Sequence, residues 1–206
     1  MIIKNIPLGI IKTNCYIAVD ETTREAVIID PAEQAEVILN MAKTIGASVK
    51  YVILTHAHFD HMGAVEDIMQ ETGARLVTHA MERGGLENGK INLSTRYGAV
   101  PIILKEDIAV NEGDEIVFGN STLKVIYTPG HTAGGMSLYG GGVLFSGDTL
   151  FCGNVGRCDF PGGDEKALIS SINEKLYTLP DETVVYCGHG ASTTIGEEKA
   201  KNVYTG

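Results

Sequence analysis

Residues 55–61 read Thr-His-Ala-His-Phe-Asp-His, so three imidazoles and one carboxylate share the six consecutive positions from His56 to His61. These are half of the six histidines in the chain. Neutral imidazole is the commonest protein metal ligand, and a carboxylate supplies an oxygen donor for the same ions. A solvated loop gains nothing from such crowding, because neighbouring imidazolium charges repel. The spacing points to metal-ion chemistry. Three single residues further along offer matching donors: His131 in Thr-Pro-Gly-His-Thr, Asp148 in Gly-Asp-Thr, and His189 in Gly-His-Gly. Alone, each reads as a structural histidine or a turn. Joined to His56, His58, Asp60 and His61 they make seven donors, which suits two ions and exceeds the needs of one.

Such donors need a scaffold that brings four loops together. Residues 49–54 are largely apolar and read as a buried strand ending at the heptapeptide. The stretches 122–127, 143–146 and 183–187 also read as strands, each ending beside one later donor and a glycine that permits a tight bend. In layered α/β structures, sites collect at strand ends, so the four loops are expected to converge on one centre. Further strands are expected at 2–8, 14–20, 26–30, 74–78, 108–110, 115–118 and 136–139. Helices are expected over 32–44, from His61 to a stop at Gly73, over 164–177 and over 197–202. Residues 80–100, interrupted by Gly84-Gly85, Asn88-Gly89 and Gly98, are expected to form a loop with at most a short helix, of the kind that serves as a lid or binding loop. His79 reads as structural, and Asp20, Asp30 and Asp67 as turn or surface carboxylates.

Composition narrows the class. A chain of 206 residues with no break in composition is expected to be one domain over 1–206. Its net charge of −10, with no Lys/Arg-rich segment, argues against nucleic-acid binding, where phosphate contacts dominate affinity. No stretch approaches the roughly 18 uninterrupted apolar residues of a membrane span. The first residues turn polar too soon for a signal peptide, so a cytoplasmic location is expected. Cys15, Cys152, Cys158 and Cys187 form no CxxC pair and are expected to be reduced, buried and hydrophobic in role. Oligomeric state has no signal in the sequence.

The heptapeptide resembles the T-H-x-H-x-D-H signature of metallo-β-lactamase-fold hydrolases. His131, Asp148 and His189 match that family's later ligand motifs in order and spacing, and the resemblance runs from about Asn14 to about Ile195. Gly147-Asp148-Thr149-Leu150-Phe151 together with Gly156-Arg157-Cys158-Asp159 is similar to the glyoxalase II and persulfide dioxygenase branches. The resemblance implies an α/β fold, a four-layer αββα sandwich with the metals at one edge of its two sheets. It implies that His56, His58 and His131 hold one ion, that Asp60, His61 and His189 hold the second, and that Asp148 bridges them. True β-lactamases do not use an Asp at the bridging position, and the flavo-diiron branch replaces His58 with a carboxylate. Both differences point away from those activities.

Two divalent ions about 3.5–4 Å apart can share a water, lower its pKa and polarise a carbonyl. All seven donors are nitrogen or oxygen, which suits zinc first and also admits iron or manganese. Asp60 is the expected catalytic residue, orienting the hydroxide and accepting its proton. A thioester fits such a site, because a thiol with a pKa of about 8.5 departs as thiolate without a strong acid. The expected substrate is a small thioester of the S-lactoylglutathione type. The alternatives are a mononuclear iron persulfide dioxygenase-like oxidoreductase and a hydrolase of another small ester or lactone. Full-length glyoxalase II enzymes grip glutathione with a C-terminal helical segment, which this sequence, stopping soon after His189, is expected to lack. Either Arg157 and the 80–100 loop, with Arg83, Lys90 and Arg96, are expected to do the holding, or the thiol portion of the substrate is different.

Overall fold

The computed structural model describes residues 1–98 and 100–205. Six strands form the first sheet in sequence order: β1 (Ile2–Leu8), β2 (Thr13–Val19), β3 (Glu25–Ile29), β4 (Ser48–Ile53), β5 (Arg75–His79) and β6 (Ile108–Val110). The pairs β1–β2 and β2–β3 are antiparallel, whereas β3, β4, β5 and β6 run parallel. Parallel neighbours finish at the same edge, so the ends of β3 and β4 lie side by side. That placement decides which residues can reach the loop after β4.

The second sheet contains β7 (Glu115–Phe118), β8 (Ser121–Tyr127), β9 (Met136–Gly140), β10 (Val143–Gly147), β13 (Val184–Cys187) and β14 (Thr193–Thr194). Its order is β14-β13-β10-β9-β8-β7, with β10 and β13 parallel. A two-stranded ribbon, β11 (Leu150–Phe151) with β12 (Asn154–Val155), follows β10. The register between β10 and β13 shifts between Phe145 and Gly147, so Ser146 is an extra residue just ahead of Asp148. Bulges of this kind bend a strand and re-aim the side chains that follow.

Alternation along the strands sorts apolar side chains into three layers. Tyr16, Val27, Ile29, Ile53 and Val77 meet Phe118, Leu123, Val125, Leu138 and Phe145 between the sheets. On the outer face of the first sheet, Ile17, Ile28, Val52 and Leu76 pack against Ile38 of α1 (Ala35–Thr44) and against Val65 and Ile68 of α3 (Val65–Thr72). On the outer face of the second, Leu144 and Val185 pack against Leu168 and Ile172 of α6 (Glu165–Glu174) and Ile195 of α7 (Ile195–Lys201). Each fully buried side chain of this size is worth about 1.5–3 kcal/mol. The layers run helix, sheet, sheet, helix, which is the αββα sandwich.

Most strand expectations hold to within a residue or two. The helix expected from His61 onward is split into α2 (Phe59–Met62) and α3. A side chain at Gly63 would lie 2.4 Å from the Ala32 carbonyl, and the Ala64 amide donates to Pro31 O at 2.9 Å, so the chain is drawn out of helical register there. Residues 80–100 carry a 3₁₀ turn at Ala80–Glu82 and two one-turn helices, α4 (Arg83–Leu86) and α5 (Ser94–Tyr97); Ala99 lies outside the described residues. Cys15 and Cys187 are buried as expected, but Cys152 is exposed and Cys158 only half-buried, because the β11–β12 ribbon and the turn beyond it lie on the surface.

Candidate metal centre

All four donor loops leave strand ends at one edge of the sandwich. After β4, the Thr55 amide donates to Asp30 Oδ1 at 2.8 Å and its hydroxyl to Asp30 Oδ2 at 2.7 Å, which turns the chain. His58 then precedes α2, whose single turn carries Asp60 and His61. His131 follows β8, and Asp148 follows the bulged end of β10. His189 follows β13, where Asn14 Nδ2 donates to Cys187 O and to Gly190 O, both at 3.0 Å. Gly188 has to be glycine: a Cβ there would stand 2.1 Å from Asp148 Oδ1 and 3.0 Å from His61 Cε1.

The structure brings the seven sequence-expected donors together. Within 4.8 Å of one another lie donor atoms of His56, His58 and His131; of His56, His61 and Asp148; and of Asp60, His61 and His189. Asp148 sits between the sets. Its Oδ2 is 3.6 Å from His131 Nε2 and 3.4 Å from His189 Nε2, and its Oδ1 is 3.4 Å from His61 Nε2. Asp60 Oδ2 faces His189 Nε2 at 3.4 Å and His61 Nε2 at 3.6 Å, and it accepts from the Thr13 hydroxyl at 3.0 Å.

Hydrogen bonds on the far side of the His56 and His131 rings set their tautomers. Thr55 Oγ1 gives its proton to Asp30, so it can only accept from His56 Nδ1 at 3.1 Å, leaving the Nε2 lone pair directed inward. His131 Nδ1 lies 2.7 Å from the Arg157 carbonyl, an acceptor, so its Nε2 is again a lone pair. That nitrogen faces His58 Nδ1 at 2.8 Å. His61 Nδ1 lies 3.0 Å from Asp30 Oδ2, at an angle outside hydrogen-bond geometry, and turns Nε2 toward the two carboxylates. His56 Nε2 and Asp148 Oδ1 are buried with no hydrogen-bond partner. Buried polar atoms are otherwise almost always satisfied, so inward-facing lone pairs without donors fit a divalent cation.

Electrostatics divides the site. Burial, then the charge of His61, hold His56 well below the usual imidazole range, and burial with His131 brings His58 down to about 3. Both are neutral, as ligands must be. Burial opposes the shifts of the other four. It would lower His61, but Asp148, Asp60 and Asp30 hold its pKa well up. It would lower His189, but Asp148 and Asp60 raise it to about 9. It would raise both acids, yet His61 and His189 bring Asp60 down to about 2, and His61 with His189 keeps Asp148 well below the carboxylate range.

Three contributors escaped the sequence reading. Asp30, expected on a turn or surface, is buried and supports His56 through Thr55 and His61 directly. The signal was available: it directly follows β3, the parallel neighbour of the strand that ends at the heptapeptide. Thr13 and Asn14 open β2 and tie the first sheet to Asp60 and to the His189 loop, a link with no local signature. His79 is structural as expected, accepting from the Met81 amide and stacking on Tyr127 at 4.3 Å.

A family profile described as the metallo-beta-lactamase superfamily matches residues 8–189. The chain belongs to the metallo-β-lactamase superfamily. Members of this superfamily are mostly metal-dependent hydrolases. The chain is 34% identical to the hydroxyacylglutathione hydrolase GloC of Haemophilus influenzae, covering 99% of this chain and 98% of the relative. It is 33% identical to the probable metallo-hydrolase YqgX of Bacillus subtilis, covering 98% and 96%. Among solved structures it is similar to the BLEG-1 B3 metallo-beta-lactamase, with TM-score 0.93, 39% identity and 99% of both chains covered. TTHA1623 in a di-iron-bound form gives TM-score 0.87 and 35% identity over 98% of this chain and 99% of that one. ETHE1 from Myxococcus xanthus gives 0.82 and 34% over 98% and 84%. The superfamily's metal-binding character accords with the His/Asp cluster. No helix among the described residues is long and apolar enough to cross a membrane.

Proposed function

We propose that this chain is a binuclear metallohydrolase that cleaves a small thioester, of the S-lactoylglutathione type. The observation that carries the reading is Asp148, whose two carboxylate oxygens face donors of both sets at 3.4–3.6 Å. His56, His58 and His131 would hold one ion, Asp60, His61 and His189 the other, and Asp148 would touch both. Zinc is the leading candidate, with iron or manganese compatible with the same donors. Two such ions supply a hydroxide at neutral pH and an electrophilic contact for the substrate carbonyl.

The chain's own residues supply the rest. Asp60 is ionised at neutral pH, and the Thr13 hydroxyl together with His189 fixes its Oδ2. Oδ1 remains to orient the attacking oxygen and take its proton. The departing thiolate needs no general acid. Arg157 stands at the mouth of the site, its guanidinium 4.1 Å from the Phe160 ring, which itself meets His58 edge-on at 5.6 Å. It is exposed and bound bidentately to Asp159 at 2.7 and 2.6 Å. A substrate carboxylate would therefore exchange with Asp159 at Arg157. Arg83 is held by Glu106, and the Arg96 guanidinium lies over Tyr97, so neither is as free to serve as the sequence reading expected.

Metal counting on anaerobically purified protein, with thiol release from S-lactoylglutathione, is the deciding experiment: two ions per chain and turnover are expected. One iron per chain with oxygen uptake on a persulfide would replace this reading with the dioxygenase-like one, which the similarity to ETHE1 keeps in view. Hydrolysis of a β-lactam reporter faster than of thioesters would move the activity toward the name carried by BLEG-1. Arg157→Ala is expected to raise KM for thioesters with a carboxylate on the thiol portion while sparing neutral ones. An equal effect on both would make Arg157 structural.

A further inference from the structure

We propose that Glu82 is a positioning residue for the His56/His58/His131 set, its buried carboxylate tying the loop after β4 to the loop after β8. The inference rests on reading those three histidines as a metal position. Glu82 Oε1 accepts from the Ala57 amide at 2.8 Å, and Ala57 lies between His56 and His58. Oε2 accepts from the Thr132 hydroxyl at 3.0 Å, and Thr132 follows His131. The Gly134 amide is also directed at this carboxylate. One side chain thus holds residues adjacent to all three rings, across the gap between the two sheets.

The approach leaves no slack. A Cβ at Gly134 would stand 2.3 Å from the Glu82 amide nitrogen and 2.4 Å from Oε2. Glu82 is 3% exposed, and among the described residues no cationic side chain pairs with it. An uncompensated buried carboxylate is costly, so neutral donors must do the compensating, and these donors belong to the two ligand loops. Burial raises the Glu82 pKa, which the three donors oppose. The segment that delivers Glu82 is itself anchored. Arg83 pairs with Glu106 at 2.8 Å, and fully buried Asn92 donates to Gly85 O and Ile102 O, both at 2.9 Å. The Phe59 amide donates to Asn92 O at 2.9 Å. Both non-ligand residues inside His-Ala-His-Phe-Asp-His therefore have their amides held by the segment that reads, in sequence, as a lid. Here it acts as a footing for the ligand loops.

Zn²⁺ dissociation constants from chelator competition test this. In a His189→Ala reference, which retains the three-histidine set, adding Glu82→Gln is expected to weaken zinc binding about 10- to 100-fold, the usual effect of losing a group that orients metal ligands. Glu82→Asp, which keeps the charge one methylene shorter, should fall between. In a His58→Ala reference, where the other set remains, Glu82→Gln should change zinc binding little. Glu198→Gln is the control for loss of any buried carboxylate, since Glu198 holds Gly153, Thr193 and Asn202 rather than residues adjacent to His56, His58 or His131. It should lower Tm without weakening zinc binding. Wild-type affinity in Glu82→Gln, or equal weakening by Glu82→Gln and Glu198→Gln, would overturn the assignment. No zinc binding by the His189→Ala reference would remove the metal position and this inference together, whereas failure to cleave thioesters would remove only the proposed activity.

Discussion

The two donor sets lie side by side yet differ in kind. His56, His58 and His131 are all imidazole and only 2–5% exposed; Thr55 and the Arg157 carbonyl hold the His56 and His131 rings from behind, and Glu82 holds the backbone at Ala57 between His56 and His58. The second set mixes one carboxylate with two histidines, and its His189 side chain is 25% exposed. In the first set, burial keeps His56 and His58 neutral; in the second, carboxylates hold protons on His61 and His189. On the binuclear reading proposed above, the contrast would be a division of labour: a closed all-imidazole pocket that retains its ion, and a more open, charged one where ions and protons compete.

The hardest blow to that division is Asp148→Ala, which removes the one carboxylate shared by both sets. It should empty at least one position and lower kcat/KM by about 100-fold or more, exceeding the loss of any supporting residue. Metal counting checks it, and unchanged occupancy of both positions would show that Asp148 is not a bridge.

Acidity should separate the sets next. His189 titrates at about 9, so below that pH an ion entering the second set must expel its proton. His61, whose pKa the carboxylates also hold up, must lose a proton as well, so affinity there should fall by more than tenfold per pH unit as pH drops from 9 toward 6. His58 titrates at about 3, so it is already deprotonated across that range and adds no such slope to the first set. Stepwise zinc titrations at several pH values measure both slopes, and equal slopes would erase the distinction.

The gentlest test is Asp30→Asn, which keeps the shape of the side chain and removes its charge. Asp30 meets His61 directly but reaches His56 only through Thr55. The second set should therefore weaken roughly tenfold and the first by less. Competition titrations in the two single-set backgrounds read the difference.

Much of this was legible before any coordinates. Apolar runs closing on His56, His131, Asp148 and His189 marked both the strands and the edge where they end, because alternation and glycine placement are local signals. What escaped depends on which strands become neighbours. Asp30 looks like an ordinary Asp-Pro turn until β3 is known to lie parallel to β4. Glu82 sits in a glycine-broken stretch whose period says nothing, and its partners are 25 and 50 residues away in sequence. Even the break at Gly63 is imposed from outside, by the carbonyls of Pro31 and Ala32.

The origin of the donors has a consequence for the life of the chain in a cell. Four come from loops of the first sheet, while His131, Asp148 and His189 come from the second. An ion shared between His58 and His131 would rivet the two halves of the sandwich, and at a hundred times its dissociation constant it would add about 2.7 kcal/mol to the folded state. Scarcity of metal would then be felt first as a larger fraction of opened molecules presented to proteases. Abundance of the protein would track metal supply, even with synthesis unchanged.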